Sequence, residues 1–265
     1  MYKSLAFIYC ELFSKFEKIT FMCYHISLLK KQNTIEAKMK AIYKATLPYQ
    51  PYYHFNGWEK KHLSIIKQND LDTIDFASWG VLPTNYNLTD RTAFLAKTNT
   101  LNATKERLFS STLYQQFIIG QKCIILADGF FEPHASTMGE KIPFYFKEKS
   151  HNLIAFAGIY SEIAQKGKEP NYSASIITTE ANAYFKEIHN KPNVNGSYRM
   201  PLILDPSNYK DWLTLDTKGD INGVLETFTQ QEIISYPVSK KLFSNKIDTN
   251  VPGILDRVEF QRGLF

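Results

Sequence analysis

The sequence predicts an α+β fold: a single domain with a largely antiparallel, barrel-like sheet flanked by a few helices. Two observations support this prediction. Many short segments are either continuously apolar or alternate apolar with polar residues, and the few helical patterns do not alternate regularly with them. In addition, the 265 residues contain no internal repeat or linker and suffice to bury one large core.

The composition is that of a globular protein with many aromatic side chains. Apolar residues make up 44% and charged residues 22% of the chain, aromatic residues reach 14%, and the formal net charge is +5. Aromatic rings combined with positive charge are typical of surfaces that stack bases and contact phosphates. An aromatic core in a lysine-rich protein gives the same composition, so composition alone does not decide between them.

The three cysteines are Cys10, Cys23 and Cys123. They are scattered along the chain and lack the spacing of metal ligands. An odd, scattered set argues for the reducing cytoplasm and against a disulfide framework. We expect neither a metal site nor a cofactor site from these residues.

Residues 1–21 are interpreted as an N-terminal leader. The longest uncharged run, residues 4–10, is closed by Glu11 and falls far short of the about 20 residues that a membrane helix requires. No small-residue cleavage site follows the run. Because Met22 stands directly before Cys23, we expect either that the leader is removed or that translation starts at Met22. In both cases no membrane association is expected.

The first predicted elements are a strand and a helix. The strand follows from three alternating apolar residues, Tyr24, Ile26 and Leu28. The helix is predicted over residues 34–44, with Asn33 and Glu36 as a capping box and Pro48 and Pro51 beyond its end.

Three extended segments follow, over residues 49–55, 63–66 and 76–83. The polar, turn-rich residues 84–100 are predicted as a loop.

The most informative stretch is residues 122–133. Residues 123–127 form an unbroken apolar run, as in a strand that is buried on both faces. Asp128 and Gly129 then supply turn chemistry. Glu132 comes behind two phenylalanines at the predicted strand end, so its carboxyl should be partly desolvated and its pKa raised. The alternative for a lone glutamate is a carboxylate that reaches water or pairs with a lysine.

The remaining elements are mostly strands. Residues 143–146 and 153–160 alternate like antiparallel strands, and Gly158 marks a bulge or a close approach. Further strands are predicted at residues 171–179 and 202–204, and helices at residues 180–188 and from Asp205-Pro206 onward, the latter carrying Trp212.

Several short motifs now stand in a fixed order. The main ones are Met22-Cys23, Asn102-Ala103, Ala127-Asp128-Gly129-Phe130-Phe131-Glu132, and Ile188-His189 with Arg199-Met200-Pro201. Supporting ones are Trp79-Gly80-Val81-Leu82-Pro83, Phe156-Ala157-Gly158, Thr178-Thr179-Glu180-Ala181-Asn182 and Tyr236-Pro237-Val238-Ser239-Lys240. Over residues 22–259 the chain resembles the SOS-response-associated peptidase family, whose members crosslink to abasic sites in single-stranded DNA.

The resemblance implies that residues 22–260 form an abasic-site processing domain whose working chain begins with Cys23. An N-terminal cysteine offers an amine and a thiol to the aldehyde of an opened abasic sugar. Because an α-amine has a pKa of about 7.7 to 8.0, part of it is neutral at pH 7 and able to attack. The amine forms an imine, and the thiol then closes a thiazolidine ring. Autoproteolysis that exposes the cysteine, and a lyase activity, are further implications.

The resemblance also gives roles to three partners of Cys23. His189 is suited to move a proton when the sugar opens. Glu132 handles protons at the amine and assists removal of the leading peptide. Asn102 holds the amine or the aldehyde oxygen by hydrogen bonds. Taken singly, each residue also has a structural explanation, as a helix cap, a turn residue or, for Cys23, a small buried side chain.

DNA contacts are expected from five residues: Trp79, Lys105, Arg107, Arg199 and Lys240. The expected partner is single-stranded DNA with abasic sites, bound by a monomer without a cofactor.

The chain departs from the family pattern where DNA contacts are expected. The family usually opens Cys-Gly-Arg and carries Asn-Ala-Arg and Glu-Trp, whereas Tyr24-His25, Thr104 and Pro133 stand at these places here. Two phosphate-binding arginines and one base-stacking tryptophan are therefore absent, and an insertion separates His189 from Arg199. Candidate electrostatic substitutes are Lys105, Arg107, Lys191 and His25. Two rival hypotheses follow: a non-catalytic relative that only binds single-stranded DNA, and a cysteine peptidase that acts on peptides.

Overall fold

Strands account for most of the secondary structure. The computed structural model describes residues 23–44, 47–165, 167–193, 195–226 and 232–259. These residues form thirteen strands: β1 (His25–Leu28), β2 (Ile42–Tyr43), β3 (Tyr52–Asn56), β4 (His62–Lys67), β5 (Asp70–Trp79), β6 (Asn102–Thr104), β7 (Lys122–Ala127), β8 (Gly129–Ala135), β9 (Lys141–Glu148), β10 (Ile154–Gln165), β11 (Lys168–Glu180), β12 (Arg199–Pro201) and β13 (Ile233–Pro237).

The helices of the described residues are short and lie between these strands. The α-helices are α1 (Gln32–Met39), α2 (Arg91–Lys97), α3 (Ala183–Ile188), α4 (Tyr209–Thr214) and α5 (Lys218–Glu226). Single 3₁₀ turns occur at Leu88–Asp90, Lys105–Arg107, Tyr114–Gln116, Pro206–Asn208, Lys240–Phe243 and Pro252–Leu255. None of the helices in these ranges is long and apolar enough to cross a membrane.

The strands form two sheets, which confirms the predicted α+β class. One sheet is antiparallel throughout, in the order β13-β9-β8-β1-β3. In the other, β4, β5, β7, β10 and β11 form a closed ring, because β11 pairs antiparallel with β10 and parallel with β5. The short strands β6 and β12 add to β11, and β2 adds to β5.

The chain passes from the ring to the antiparallel sheet at Asp128. Its Oδ2 atom accepts hydrogen bonds from the backbone N–H groups of Leu29 and Lys30 at 2.5 and 2.9 Å. Its Oδ1 atom lies 2.5 Å from Nζ of Lys30. The carboxylate thus ties the start of β8 to the end of β1, and so fixes how the two sheets meet.

The strand predicted at residues 123–127 is confirmed, since all of β7 is buried. The predicted strand end at Glu132 is wrong, because β8 runs through Glu132 to Ala135. Gly129 does not supply a turn. A Cβ atom there would lie 2.4 Å from the Tyr145 hydroxyl and 2.5 Å from the carbonyl oxygen of Phe146, so the neighbouring strand requires a glycine.

The helix predicted at residues 34–44 is α1, which begins and ends earlier. The chain leaves the helix at Lys40, whose φ of 54° is left-handed. The capping box is also wrong, because the N-cap is Lys31 and no side chain caps it. Glu36 instead accepts a hydrogen bond from the backbone N–H of Tyr43 at 3.0 Å, and so ties β2 to the helix.

The prediction that residues 84–100 form only a loop is wrong, because they contain α2. The polar sequence of this segment gave no helical pattern. Arg91, at the start of this helix, is buried although it is charged. Its guanidinium donates hydrogen bonds to the carbonyl oxygens of Trp79 at 2.8 Å and Gly57 at 2.5 Å. The helix is therefore held by polar contacts of Arg91 to the backbone together with one buried apolar side chain, Leu95, which is too little for a visible apolar periodicity.

Most of the elements predicted after residue 150 are present, with different bounds. Gly158 is a close approach without a bulge, since a Cβ atom there would lie 2.7 Å from Cδ1 of Ile125. The helix predicted at residues 180–188 is α3, which starts later because Asn182 caps it through a hydrogen bond from the backbone N–H of Phe185. Trp212 is buried on α4 as predicted. In place of a strand at residues 202–204, the structure has β12 and a single bridge between Ile203 and Phe156.

The antiparallel sheet is covered on both faces. The main core packs against one face and includes Phe130. A smaller cluster, around Phe131 and Tyr145, covers the other. Because full burial of an aromatic or aliphatic side chain contributes about 1.5–3 kcal/mol, both faces hold β8 firmly in place.

Candidate active site

Four residues that lie far apart in the sequence meet where the two sheets join. Cys23 precedes β1, Asn102 begins β6, Glu132 lies within β8, and His189 follows α3. Their exposed fractions are 1% for Cys23, 3% for Asn102, 1% for Glu132 and 2% for His189. The structure therefore brings together all four residues that the sequence predicted for catalysis.

Asn102 contacts the backbone of Cys23. Its Nδ2 atom donates a hydrogen bond of 2.9 Å to the Cys23 carbonyl oxygen. Parallel pairing with Ile176 on β11 fixes the backbone of Asn102, and Tyr114 donates a hydrogen bond to its carbonyl oxygen at 3.2 Å. The buried Oδ1 atom has no hydrogen-bond donor within the described part of the chain, so a hydrogen-bond acceptor remains beside Cys23.

Glu132 and His189 form the second contact of the site. Oε2 of Glu132 lies 3.4 Å from Nδ1 of His189. Burial raises the pKa of Glu132 well above its ordinary value, as the sequence predicted. Burial also lowers the pKa of His189 to about 4, against a hydrogen bond to the Arg199 backbone that acts in the opposite direction. A protonated carboxyl and a neutral imidazole are thus the favoured forms.

The Glu132 carboxyl has neither of the alternatives considered for a lone glutamate. It is shielded from solvent, and among the described residues no lysine pairs with it. Neither of its oxygens receives a hydrogen bond from the described part of the chain. A buried polar group that lacks such bonds is costly, which is typical of a group kept for a ligand or a reaction.

The Cys23 thiol is held in its protonated form. Its pKa is raised well above the ordinary value, first by burial and then by the nearby Glu132 carboxylate, while the backbone N–H of His25 acts the other way. A peptidase of the cysteine–histidine type uses a thiolate paired with an imidazolium. This site disfavours both of these charged forms.

His25 and His54 lie beside Cys23 as a neutral, hydrogen-bonded pair. Nδ1 of His25 and Nε2 of His54 share a hydrogen bond of 2.8 Å, and Nδ1 of His54 contacts the Thr249 hydroxyl at 2.7 Å. Burial lowers the pKa of His25 to about 3 and that of His54 to about 4, with a smaller effect from His54 on His25 and from Lys61 on His54. A neutral His25 does not replace the charge of an arginine at this place.

Trp79 does not occupy a position from which it could contact DNA. The side chain is fully buried, and its indole N–H donates a hydrogen bond of 2.8 Å to the carbonyl oxygen of Leu101. Its ring packs edge to face against Phe55. An indole enclosed in this way presents no face to a base, so Trp79 serves packing.

Acidic side chains engage three of the four predicted DNA-contacting cations. Both terminal nitrogens of Arg199 donate hydrogen bonds of 2.9 Å to the two carboxylate oxygens of Glu106. Lys105 lies 2.7 Å from Glu226, and Lys240 lies 2.7 Å from Glu140. Arg107 is exposed.

A clamp that the sequence did not indicate holds His189 over β8. Ala135 donates its backbone N–H to Oδ1 of Asn190 at 2.8 Å, and Nδ2 of Asn190 donates to the Ala135 carbonyl oxygen at 2.9 Å. His134 donates a hydrogen bond of 2.7 Å to the carbonyl oxygen of Ile188. These contacts join residues more than fifty positions apart, so no local sequence pattern predicts them.

Among the described residues, no group of three or more histidine, cysteine or acidic side chains is arranged to hold a metal ion.

Comparison with known proteins connects this geometry to a family. A family model described as SOS response associated peptidase (SRAP) matches residues 22–245. The chain is 29% identical over 210 residues to the abasic site processing protein YoqW of Bacillus subtilis, covering 78% of this chain and 87% of that protein. It is 30% identical over 200 residues to the abasic site processing protein YoaM of the same organism, covering 75% of this chain and 82% of YoaM.

A solved structure has a similar fold. The crystal structure of a protein from Bacteroides thetaiotaomicron superimposes with a TM-score of 0.74 at 26% sequence identity. The superposition covers 89% of this chain and all of that one.

Proposed function

Since the chain belongs to the SOS response associated peptidase (SRAP) family, we propose that it captures abasic sites in single-stranded DNA by forming a thiazolidine at Cys23. The observation that carries the proposal is the buried grouping of Cys23 with Asn102, Glu132 and His189. The similar proteins YoqW and YoaM are named as abasic site processing proteins, which agrees with this substrate. The protein would act as a monomer in the cytoplasm.

The proposal requires a free amine at Cys23, produced by removal of the preceding residues. Two unused acceptors support this requirement: Oδ1 of Asn102 and the Glu132 carboxyl lie at Cys23 without hydrogen-bond donors from the described residues. An α-amine supplies such donors and has a pKa of about 7.7 to 8.0 in an exposed chain. Either methionine removal at Met22 or self-cleavage of the Met22–Cys23 peptide bond yields it.

The reaction begins with the sugar. His189, neutral near pH 7 because burial lowers its pKa to about 4, accepts the proton of the C1 hydroxyl while the bond between C1 and the ring oxygen breaks, and it returns the proton to the ring oxygen to leave an aldehyde. The Cys23 amine adds to the aldehyde carbon, and one amine proton passes to the oxygen to give a carbinolamine. Glu132, favoured as a protonated carboxyl, donates a proton to the departing oxygen, which leaves as water when the imine forms.

Ring closure follows from the thiol. The Cys23 sulfur adds to the iminium carbon, the two electrons of the C=N π bond move to nitrogen, and the thiol proton passes to the Glu132 carboxylate, which returns to its protonated form. The iminium is electrophilic enough to react with a thiol whose raised pKa keeps it mostly protonated. Proximity favours the five-membered ring, since both nucleophiles belong to one residue.

A crosslinking assay tests the proposal. The protein beginning at Cys23, mixed with single-stranded DNA that contains one abasic site, should give a product that survives denaturing electrophoresis. Cys23→Ala keeps the amine and should form only an imine that borohydride traps. Glu132→Gln and His189→Ala should slow crosslinking by about 10²- to 10⁴-fold without changing the product.

Cys123→Ala is the matched control, because Cys123 is a fully buried strand residue and its loss should leave the adduct unchanged. A heat-stable adduct from Cys23→Ala without reductant would contradict the mechanism. Absence of any adduct from the unaltered protein would favour a non-catalytic DNA-binding relative. Turnover of peptides without dependence on DNA would favour a cysteine peptidase.

A further inference from the structure

The connection between β3 and β4 is pinned to the residue that follows Cys23. The backbone N–H of Gly57 donates a hydrogen bond of 2.8 Å to the carbonyl oxygen of Tyr24. Next to it, Asn56 pairs with His25 in the register of β3 with β1. The backbone N–H of Trp58 is in turn held by Oδ1 of Asn56 at 3.1 Å. The position of Trp58 is therefore fixed relative to Cys23.

Two aromatic rings lead outward from the site at this connection. The Tyr24 ring is buried, and its hydroxyl accepts a hydrogen bond of 2.8 Å from Nδ2 of Asn99. The Trp58 ring is half-buried, with its centroid 6.3 Å from that of Tyr24 at an interplanar angle of 52°. Tyr24 is thus a rigid support, and Trp58 is the outer ring that solvent reaches.

Positive charge follows the ring directly. Lys60 is exposed, and Lys61 is held in place by Glu59 at 2.9 Å and by the carbonyl oxygen of His54 at 3.2 Å. Proteins that bind single strands combine cations that follow the backbone with aromatic rings on which bases stack. The same two components occur here within four residues of sequence.

We infer that Trp58, supported by Tyr24, is a stacking site for the nucleobase next to the abasic nucleotide. An abasic nucleotide lacks its base, so the neighbouring base has lost one stacking partner. The indole supplies a replacement at the correct place, because it lies beside the residue that follows the reactive Cys23. The inference depends on the proposed function, since it assumes that Cys23 meets the abasic sugar.

Intrinsic tryptophan fluorescence can test the role of Trp58. The chain has three tryptophans, and the other two, Trp79 and Trp212, are 0% and 1% exposed. A change of indole emission on DNA binding therefore reports on Trp58. The probe is a single-stranded oligonucleotide with a ring-closed abasic analogue, which has no aldehyde, flanked either by adenines or by further abasic analogues.

The adenine-flanked oligonucleotide should quench the emission, whereas the oligonucleotide without flanking bases should not. Trp58→Ala should weaken binding of the adenine-flanked oligonucleotide by about 5- to 150-fold, the range that corresponds to one stacked base. It should leave the base-free one unchanged. Trp58→Phe should retain most of the affinity while abolishing the quenching. Tyr86→Ala, at an exposed aromatic residue, is the matched control and should change neither.

Equal quenching by both oligonucleotides, or equal affinity of Trp58→Ala and the unaltered protein for the adenine-flanked one, would overturn the inference. Because the analogue does not crosslink, these outcomes are independent of the covalent reaction. Failure of crosslinking to a true abasic site, with stacking intact, would instead overturn the proposed function.

Discussion

At the scale of single residues, we expect the contact between Arg199 and Glu106 to influence DNA affinity most directly. A carboxylate and a phosphate present similar pairs of oxygens to a guanidinium, and each can accept two parallel hydrogen bonds from it. In this structure Glu106 accepts both hydrogen bonds from the terminal nitrogens of Arg199. A DNA phosphate must therefore displace Glu106 before it can pair with Arg199. This competition should lower the affinity for DNA, and undamaged strands cannot compensate by forming a covalent bond.

Glu106→Gln should raise the affinity for undamaged single-stranded DNA by about 3- to 10-fold at low salt and steepen its salt dependence. The physical reason is that a neutral amide competes poorly with phosphate for the guanidinium. Titrations at several salt concentrations would measure both effects. Glu162→Gln removes an equal charge at an exposed position on β10 and serves as the control. The prediction is contradicted if both variants gain affinity equally or if neither does.

The sequence identified individual polar residues better than aromatic ones. It predicted the raised pKa of Glu132 because two adjacent phenylalanines signalled a desolvated environment. It did not separate Trp79, which is enclosed, from Trp58, which solvent reaches, since burial of a tryptophan depends on strands that are distant in sequence. The sequence also did not predict the neutral state of His25, because this state depends first on burial and then on contact with His54 on a neighbouring strand.

At the scale of elements, the clamp between β8 and the residues after α3 holds Glu132 and His189 together. Glu132 is part of a strand that is covered on both faces, whereas His189 lies just beyond a short helix. Asn190 joins the two by a pair of hydrogen bonds to the backbone of Ala135. The 3.4 Å separation of Glu132 and His189 therefore depends on a side chain that does not contact Glu132.

Asn190→Ala should slow crosslinking by about tenfold and leave DNA affinity unchanged. A looser His189 would be less buried, so its pKa should rise from about 4 toward the ordinary value and move the acid limb of the rate profile to higher pH. Rates measured from pH 4 to pH 8 would show this shift. Asn195→Ala, in the same connection and exposed, should behave like the unaltered protein. An unshifted acid limb in Asn190→Ala would exclude the positioning role.

Strands were predicted more accurately than helices, for a physical reason. The strands carry continuous or alternating apolar residues because both sheets are buried, and these patterns are visible locally. The helices are short, so an apolar period has little room to repeat in them, and α2 depends in part on polar contacts of Arg91 to backbone carbonyl groups. The extension of β8 past Glu132 was missed because Asp128 and Gly129 were interpreted as a turn that closes a core strand, whereas β8 pairs with β9 from Gly129 to Ala135.

At the scale of the whole molecule, buried histidines make the fold sensitive to acid. The pKa values of His25, His54 and His189 are lowered to about 3, 4 and 4. Below about pH 6.5 the unfolded chain binds protons at these positions that the folded chain does not bind, so the free energy of unfolding decreases as the pH falls toward 4. Glu132 acts in the opposite direction, because its raised pKa lets the folded state hold the extra proton.

Three histidines outweigh one carboxyl, so the urea midpoint should be highest near pH 7 and fall by roughly 1 M between pH 6.5 and pH 4.5. His54→Gln should lower the stability at pH 7 but make it less dependent on pH. His151→Asn changes an exposed histidine and should keep the full dependence. A midpoint that stays constant over this interval would show that these histidines are not held neutral.

The distribution of the site over both sheets also affects when reactivity can arise during synthesis. Cys23 leaves the ribosome early, whereas His189 and the β11 strand that aligns Asn102 are made only after about two thirds of the chain. Closure of the ring likewise waits for β11 to reach β5, about 95 residues away in sequence. A nascent chain therefore carries Cys23 before the other residues of the site are in place, and under the proposed function it could react with an abasic site only after β11 and His189 have been made and folded.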